Sequence, residues 1–393
     1  MNQPNETNGG AVRILVVDDE PDLETLMRQR FRHKLRDGHY DFVFARNGVE
    51  ALEVLEREGD IEMVVTDINM PEMDGITLLA KIKDYDARLR AIVVSAYGDI
   101  ENIRAAMNQG AFDFVTKPID FQDLEITIEK TIEDVRAMRA ARQAHDQLVA
   151  LEQELDVAKT IQQAMLPAAG KTLEDLSQFE IHGAMEPAKA VGGDFYDFFK
   201  LDGGMLGAFI GDVSGKGVPA AIFMALARSV VKSTAIALRN PEDSLRQANT
   251  LLCGENTTSV FATLFYVTLD GGRGAYCSAG HNAPFIVPPE GPVRQMDRVG
   301  GLVLGIEPET PYTRGELELK PGETLFMYTD GVTEAMREDR SMYGEKRLAE
   351  TLAAHAGDAP RHMLEAVFES VHSFGKGAPQ HDDITALAIR YNV

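Results

Sequence analysis

Several residue types are scarce in this 393-residue chain, and each scarcity excludes a class of protein. There are two cysteines, Cys253 and Cys277, which are too few for a disulfide framework and lack the paired spacing of a zinc site. Lysine and arginine total 39 against 62 aspartate and glutamate residues, and this net charge of −23 argues against a DNA-binding output. The most apolar long stretch, residues 218–238, contains Arg228 and Lys232 and therefore predicts a buried helix instead of a membrane span.

The remaining composition is that of an ordinary folded protein. Hydrophobic residues make up 44% and charged residues 26%, and the length corresponds to two or three domains. Residues 1–11 are polar and without the apolar segment of a signal peptide, so we expect a disordered N-terminal tail. These features together predict a cytoplasmic protein that binds neither nucleic acid nor a membrane.

The region 12–128 alternates between short apolar runs and amphipathic segments. The runs are rich in Val and Ile and lie at 13–17, 41–45, 62–66, 91–95 and 113–116. Helical patterns lie near 20–36, 48–58, 75–84 and 99–109, and another begins near residue 120. This alternation predicts an α/β domain with a doubly wound, five-stranded parallel sheet.

The segment 129–166 predicts a helical linker, because residues 129–165 contain neither glycine nor proline. Small and apolar residues recur there at steps of three and four, at Ala141, Ala144, Leu148, Leu151, Leu155 and Ala158. That spacing favours a coiled coil and a homodimer. An upstream stripe follows a different frame, at Ile128, Ile132, Val135 and Met138, and resembles a stutter. The seam is short, so a long helix packed on its own domain stays open as the alternative.

The region 167–393 has another pattern, in which strands come in runs and helices in pairs. Strand-like runs lie at 179–186, 194–201, 205–212, 260–269, 274–287, 323–329 and 383–391. Helical segments lie near 219–239, 242–253, 345–355 and 359–374. We expect an α+β domain, an α-β-β-α sandwich.

Polar side chains with complementary chemistry follow the strands of the first region. They are Asp18 and Asp19 after the first strand, Asp67 after the third, Ser95 after the fourth and Lys117 after the fifth. Ligands of doubly wound sheets bind at these carboxyl ends. Converging carboxylates repel each other unless a cation lies between them, and an all-oxygen ligand set favours Mg²⁺. Solvated carboxylates at loop starts would explain any one of these residues, but not all five positions.

The motifs VVDDE, TDINMPEMDG, VVSAYGD and FVTKP resemble the receiver domain of response regulators. The resemblance implies that Asp67 is the phosphoacceptor and that Asp19 binds Mg²⁺ directly, with Asp18 acting through water. It assigns further roles to the backbone carbonyl of Asn69 as a metal ligand, to Ser95 and Lys117 as phosphoryl contacts, and to Phe114 as the switch aromatic. It also implies a sensor histidine kinase or a phosphotransfer protein as the partner.

Four acidic motifs are dispersed through the third region. They are GGDFYD (192–197), GDVSGKG (211–217), TDGVTE (329–334) and HDDIT (381–385). Any one Asp-Gly pair is most often a turn. Four together supply oxygen ligands for Mg²⁺ or Mn²⁺, and two such ions can activate water for displacement at phosphorus.

These motifs, with SAGHNAP (278–284) and LDVAKTIQQAMLP (155–167), resemble the PPM-type serine/threonine phosphatases of the bacterial sporulation and stress-response branch. The resemblance implies two Mn²⁺ or Mg²⁺ ions. It places Asp212 between them and the carbonyl of Val213 on one of them, with Asp194 at one ion and Asp330 and Asp382 at the other. Asp383 could exchange roles with Asp382.

Three more polar residues of these motifs have two interpretations each. Asp197 lies either behind the metal site or on the surface of its strand, and Lys216 either contacts a substrate phosphate or belongs to a plain turn. For His281, a structural hydrogen-bonding role is favoured over a catalytic one.

The sequence thus predicts a response regulator whose output is metal-dependent dephosphorylation of phosphoserine or phosphothreonine. The implied substrate is a phosphorylated anti-sigma-factor antagonist or a similar small regulator. The alternative is a non-enzymatic adaptor, in which a phosphatase-like fold binds a sigma factor or another regulator without turnover. Presence of all four aspartates favours the enzyme.

Overall fold

The computed structural model describes residues 11–86, 88–167, 173, 176–256 and 259–392. The chain divides into two compact units, residues 1–150 and 151–393, which are described separately. Apart from Ala11, the tail predicted to be disordered lies outside the described residues.

The first unit is built on a parallel sheet. Its strands are β1 (Val12–Val17), β2 (Tyr40–Ala45), β3 (Met63–Asp67), β4 (Arg90–Ala96) and β5 (Asp113–Lys117). They pair in the order β2-β1-β3-β4-β5, and every pairing is parallel. The helices between them are α1 (Pro21–Arg30), α2 (Arg32–Arg36), α3 (Gly48–Arg57), α4 (Gly75–Tyr85) and α5 (Ile100–Gln109). The predicted five-stranded α/β domain is therefore confirmed.

Both faces of this sheet are covered, which explains why its strands read as continuous apolar runs. On β1, Leu15 packs in one hydrophobic cluster with residues of α3 and α4. Its neighbour Ile14 packs in the opposite cluster with α1. One predicted helix, 20–36, is two helices, because the chain leaves helical geometry at Phe31, whose ring packs against Phe42.

A single long helix, α6 (Phe121–Met165), follows β5 and continues into the second unit. Ile128 and Ile132, from the upstream apolar stripe, are buried in the core of the first unit. Leu148 and Leu151, from the predicted coiled-coil seam, are 58% and 52% exposed. The change of frame in the sequence therefore marks where the helix stops packing on the parallel sheet of the first unit. The coiled coil itself stays a prediction.

The second unit contains two facing sheets of mixed composition. One joins β7 (Phe195–Lys200), β8 (Leu206–Val213), β9 (Ala262–Asp270), β10 (Arg273–Ala279), β13 (Gly300–Gly301) and β14 (Gly315–Glu318). The other joins β6 (Phe179–Glu186), β11 (Phe285–Val287), β12 (Arg294–Gln295), β15 (Thr324–Tyr328) and β16 (Ile384–Tyr391). Apolar side chains of β8 and β9 pack with those of β15 and β16 in a shared core.

Helices cover the outer faces of both sheets. The first is covered by α7 (Val218–Leu238) and α8 (Pro241–Glu255), and the second by α10 (Gly344–Ala354) and α11 (Pro360–Phe374). A short helix, α9 (Asp330–Thr333), and a 3-10 turn, Asp202–Gly204, complete the described elements. The four layers confirm the predicted α-β-β-α sandwich.

One predicted strand of this domain is wrong. The run 274–287 is two strands, because the chain turns after Ala279 at Gly280, which has a φ of 69°, and passes from one sheet to the other. The predicted run extended across residues 280–284, although Gly280, Asn282 and Pro284 there are residue types typical of turns. The short strands β12, β13 and β14 fall outside every predicted run.

Among the described residues, α7 is the one helix whose length and composition would allow it to cross a membrane. In the fold, Phe223, Ala227 and Val231 are buried in the cluster beneath β7, β8 and β9, while Ile222 on the other side is 66% exposed. The sequence predicted a buried helix here, and the structure buries one face of it.

A buried ionic cluster fixes α7 to the sheet. Asp197 on β7 is fully buried, and its Oδ2 lies 2.6 Å from Arg228 Nη2 and 2.9 Å from Lys232 Nζ. The surface position that the sequence left open for Asp197 is therefore wrong. Its carboxylate compensates two cations of α7.

We expect Asp197→Ala to lower the free energy of unfolding of the second unit by about 3 kcal/mol or more, because it leaves the buried Arg228 guanidinium without its anion. The control is Asp202→Ala, whose 77%-exposed carboxylate pairs with Arg239 and should cost at most about 1 kcal/mol. Calorimetric unfolding of the full chain measures both. Equal losses in the two variants would contradict the assignment.

Candidate functional site

The first candidate site lies where the strands of the parallel sheet end. Asp18 follows β1, while Asp67 and Lys117 are the last residues of β3 and β5. The Lys117 ammonium lies 2.8 Å from Asp67 Oδ2 and 3.2 Å from Asp18 Oδ2. The parallel topology therefore brings the predicted phosphoacceptor, one predicted metal-binding carboxylate and the predicted phosphoryl contact to one point.

The carboxylates of this site fit an oxygen-ligated cation. Within the described residues, Asp18, Asp19 and Asp67 form the one acidic group whose ligand oxygens all lie within 4.8 Å of one another. Burial raises the pKa of Asp18, Asp67 adds to the rise, and Lys117 opposes it. Such a donor set suits Mg²⁺, which keeps several waters and accepts carboxylates from one side.

Ser95 and Phe114 lie on the neighbouring strands β4 and β5. The Ser95 hydroxyl is fully buried and has no hydrogen-bond partner within the described structure, so a phosphoryl oxygen at Asp67 would satisfy it. Phe114 is 40% exposed, which leaves its ring room to reorient. The backbone N–H of Asn69 approaches Asp67 Oδ1 at 3.4 Å, which places this residue beside the predicted phosphoacceptor.

Glu20 belongs to this site as well, although sequence reasoning gave it no role. Its Oε1 lies 3.0 Å from Lys117 Nζ, and its backbone N–H donates to Asp18 Oδ1 at 2.8 Å. The signal was present as the third acidic residue of the VVDDE motif.

The second candidate site lies between the two facing sheets of the other unit. Asp194 precedes β7 and is 1% exposed, and its Oδ2 accepts a hydrogen bond of 2.7 Å from the Thr329 hydroxyl. Burial raises the pKa of Asp194 well above its ordinary value, and neighbouring Asp212 adds to the rise. Burial also raises the pKa of Asp212, near the end of β8, to about 7, with Asp330 and Asp382 contributing.

The other two predicted ligands enter from the opposite sheet. Asp330 begins α9 directly after β15, and burial together with Glu334 and Asp382 raises its pKa. Asp382 Oδ2 lies 2.8 Å from Lys216 Nζ, and Lys216 also donates to the carbonyl of His381. Asp212 thus lies close enough to Asp194, Asp330 and Asp382 for all three to affect its pKa. They are more widely spaced than the three carboxylates of the first site.

Neighbouring carboxylates with raised pKa values fit divalent cations, because a cation between them would favour their charged forms. The donors are all oxygens, which suits Mg²⁺ or Mn²⁺. The predicted carbonyl ligand of Val213 lies next to Asp212, and the loop at Gly193 passes so close that a Cβ there would approach the carbonyl oxygen within 2.8 Å. This donor set is compatible with both predicted ions.

Asp383 has a different environment from Asp382. Its Oδ2 accepts the N–H of Gly193 at 2.6 Å, and its Oδ1 accepts the N–H of Ala188 at 2.8 Å. Sequence reasoning left the two adjacent aspartates interchangeable. The geometry separates them, since Asp383 holds the backbone of the GGDFYD loop and Asp382 faces Lys216.

His281 connects the two sheets beneath this site. Its Nε2 donates to the carbonyl of Tyr328 on β15 at 3.1 Å, and its Nδ1 accepts from the Thr263 hydroxyl on β9 at 2.8 Å. Burial lowers the pKa of His281 to about 4, so the ring is neutral. These contacts agree with the structural role expected from the sequence.

Two family models match the chain. Residues 14–129 match the response regulator receiver domain, and residues 202–392 match stage II sporulation protein E, SpoIIE. Protein IcfG of Synechocystis sp. is 35% identical over 61% of this chain, and the alignment spans 42% of that protein. Phosphoserine phosphatase RsbU of Bacillus subtilis is 27% identical over 69% of this chain and 81% of its own length. The SiaA-PP2C domain of Pseudomonas aeruginosa superposes with a TM-score of 0.55 at 25% identity, covering 62% of this chain and 98% of that domain.

The first site generates a direct prediction. Incubation with acetyl phosphate and Mg²⁺ should add one phosphoryl group to the wild-type chain and none to Asp67→Asn, because the amide cannot form the acyl phosphate. Intact mass spectrometry measures the addition. Asp22→Asn, which changes an exposed carboxylate of α1, is the matched control and should be phosphorylated like wild type. Phosphorylation of Asp67→Asn would contradict the assignment.

Proposed function

Because this chain joins a response regulator receiver domain to a SpoIIE-type PPM phosphatase domain, we propose that it is a phosphorylation-controlled phosphatase. Its proposed reaction is metal-dependent hydrolysis of phosphoserine or phosphothreonine on a regulatory protein. The observation that carries the proposal is that the four acidic motifs contact one another: Thr329 donates to Asp194, Gly193 donates to Asp383, and Lys216 pairs with Asp382.

The residues of the second site that would hold two divalent cations come from both sheets. Asp212 and the carbonyl of Val213 come from one sheet, with Asp194 beside them, and Asp330 and Asp382 come from the other. When bound, such cations lower the pKa of water and stabilise negative charge on a phosphoryl group. The protein contributes a partly buried arrangement of oxygens, in which Thr329 orients the buried Asp194 and Asp383 holds the loop behind it.

The substrate is proposed to be a phosphorylated anti-sigma-factor antagonist or a similar small regulator, in the cytoplasm. Two considerations support this choice. The motifs resemble those of the sporulation and stress-response phosphatases, and the chain is similar to phosphoserine phosphatase RsbU. An anionic chain with a net charge of −23 does not itself attract an anionic substrate, so recognition is expected to be local.

Control is proposed to begin at Asp67. A sensor histidine kinase or a phosphotransfer protein would supply the phosphoryl group, and Mg²⁺ would be held by Asp18, Asp19, Asp67 and the Asn69 carbonyl. The Lys117 ammonium and the unpartnered Ser95 hydroxyl are placed to bind phosphoryl oxygens. Movement of these groups frees the half-exposed ring of Phe114 to change position, the step assigned to the switch aromatic.

The linker helix is proposed to carry this change and to form a homodimer. Leu148 and Leu151 are exposed along one seam of α6, and burial of two apolar seams against each other would drive association. The transition from packed to exposed apolar residues along α6 supplies an element that can pack in two ways.

The proposed reaction predicts Mn²⁺-dependent hydrolysis of p-nitrophenyl phosphate and of a phosphoserine protein by the full chain. Asp212→Asn should lose about 100-fold or more of this activity, because several kcal/mol of charge stabilisation depend on the ions that it holds. Asp202→Asn, at an exposed carboxylate outside the four motifs, is the control and should retain activity. Absence of turnover in the wild type as well would favour the adaptor that binds a regulator without hydrolysis.

The proposed control predicts that beryllofluoride, a phosphoryl mimic, changes the phosphatase rate of the wild type by about fivefold or more and leaves Asp67→Asn unchanged. Equal rates with and without the mimic would refute control through Asp67.

The proposed dimer has its own test. Sedimentation equilibrium of the full chain should show a dimer, and the double change Leu148→Glu and Leu151→Glu should convert it to monomer, because charges replace the apolar seam.

A further inference from the structure

A buried amide side chain connects the last turns of α6 to the loop that carries Asp194. The Gln162 side-chain amide donates from Nε2 to the carbonyl of Gly192 at 2.7 Å, and its Oε1 accepts from the N–H of Gly192 at 3.0 Å. The two bonds satisfy both backbone groups of one glycine, as a neighbouring strand would. They therefore fix the position and the orientation of that peptide segment.

The burial of Gln162 is informative because its neighbours on the helix are exposed. Gln162 is 6% exposed, while Ile161 is 54% exposed and Gln163 is also exposed. If burial were the only requirement, an apolar residue would suit this position, yet the neighbouring Ile161 faces solvent. A buried amide costs free energy unless its hydrogen bonds are formed, so the glutamine is explained by its two bonds to Gly192.

The loop that Gln162 holds has little freedom to move. On its other side, the N–H of Gly193 donates to Asp383 Oδ2 at 2.6 Å. At Gly192, a Cβ would overlap the Asp383 carboxylate, so the chain fills the space available there. Asp194 is the next residue but one, and its carboxylate faces Asp212. A shift of the Gly192 peptide must therefore move Asp194 relative to Asp212.

We infer that Gln162 is a positioning residue for the divalent cations of the second site: it holds Gly192 so that Asp194 stands where a cation can bind between it and Asp212. This inference rests on the proposed function for the identity of the ligand, a Mn²⁺ or Mg²⁺ ion. Because Gln162 belongs to α6, which begins at Phe121 beside the receiver sheet, the affinity of the phosphatase site for its ions depends on where this helix end lies. Gln162 is thus the side chain through which the helix acts on the metal site.

The test measures Mn²⁺ binding at equilibrium, by titration calorimetry and by electron paramagnetic resonance of free Mn²⁺. All variants are full chains that also carry Asp19→Asn, so that the receiver site does not contribute to binding. Gln162→Leu keeps the size of the side chain and removes both bonds. We expect it to weaken Mn²⁺ binding about tenfold or more, the loss typical of removing a group that orients a metal ligand.

Gln163→Leu is the matched control, since it makes the same change one residue away at an exposed position, and it should bind Mn²⁺ as its parent does. Gln162→Glu keeps an acceptor for the N–H of Gly192 and loses the donor, so we expect an intermediate affinity. This variant also decides the case if Gln162→Leu fails to fold, which thermal unfolding reports. At saturating Mn²⁺, hydrolysis of p-nitrophenyl phosphate by Gln162→Leu should return to within about twofold of the control, because lost positioning is compensated by mass action.

Equal Mn²⁺ affinity for Gln162→Leu and Gln163→Leu, or for Gln162→Glu and Gln163→Leu where the leucine variant is unfolded, would overturn the inference. Failure of the proposed function has a different signature. In that case every variant, Gln163→Leu included, lacks phosphatase activity, and the Mn²⁺ titrations still decide whether Gln162 positions the site.

Discussion

Repulsion between buried carboxylates is the constraint on which both units depend. In the first unit it is reduced by the Lys117 ammonium, which lies within 3.2 Å of oxygens of Asp18 and Asp67. In the second unit the lysine ammonium at the site, that of Lys216, is paired with Asp382, and Asp194 faces Asp212 with a hydroxyl as a donor. Hydrophobic cores behind each site supply the free energy that keeps these acids buried. Both sites are therefore assembled at a cost that a bound cation would relieve.

Contacts to the backbone of the GGDFYD loop also hold Asp194 in place. The glycines of the GGDFYD motif have no side chains because the Asp383 carboxylate and the Val213 carbonyl occupy the space that a Cβ would take. Asp383 and Gln162 then bind the N–H and carbonyl groups that these glycines expose. Beneath the site, the neutral His281 side chain is hydrogen-bonded to both sheets, at Thr263 and Tyr328. The positions of the ligands follow from this framework, which explains why the motif includes residues that contact no ion.

Much of the fold and of the first site was predictable from the periodicity of apolar residues and from the residue types at strand ends. The parallel direction of the strands in the first sheet follows from alternation, and the meeting of Asp18, Asp67 and Lys117 follows from their places at the carboxyl ends of those strands. The sandwich was predictable as a class, and Gly280, Asn282 and Pro284 were a signal for the break that the predicted run 274–287 missed. Contacts between residues distant in sequence, such as Gln162 with Gly192, leave no local pattern. The adjacent aspartates could not be separated either, because side chains one residue apart can face different elements.

In a continuous α-helix, the number of residues between two side chains sets the angle between them about the helix axis. Each residue inserted into the exposed part of α6, where Leu148 and Leu151 face solvent, would turn everything beyond it by about 100° and advance it by about 1.5 Å. Gln162 and Gly192 would turn together and keep their contact, because both lie beyond the insertion in the second unit. Seven inserted residues, in contrast, return the helix to within about 20° of its starting angle. Insertions that restore the angle of α6, such as a heptad, would therefore disturb the helix least, so that the length of a solvent-exposed polar segment is still constrained.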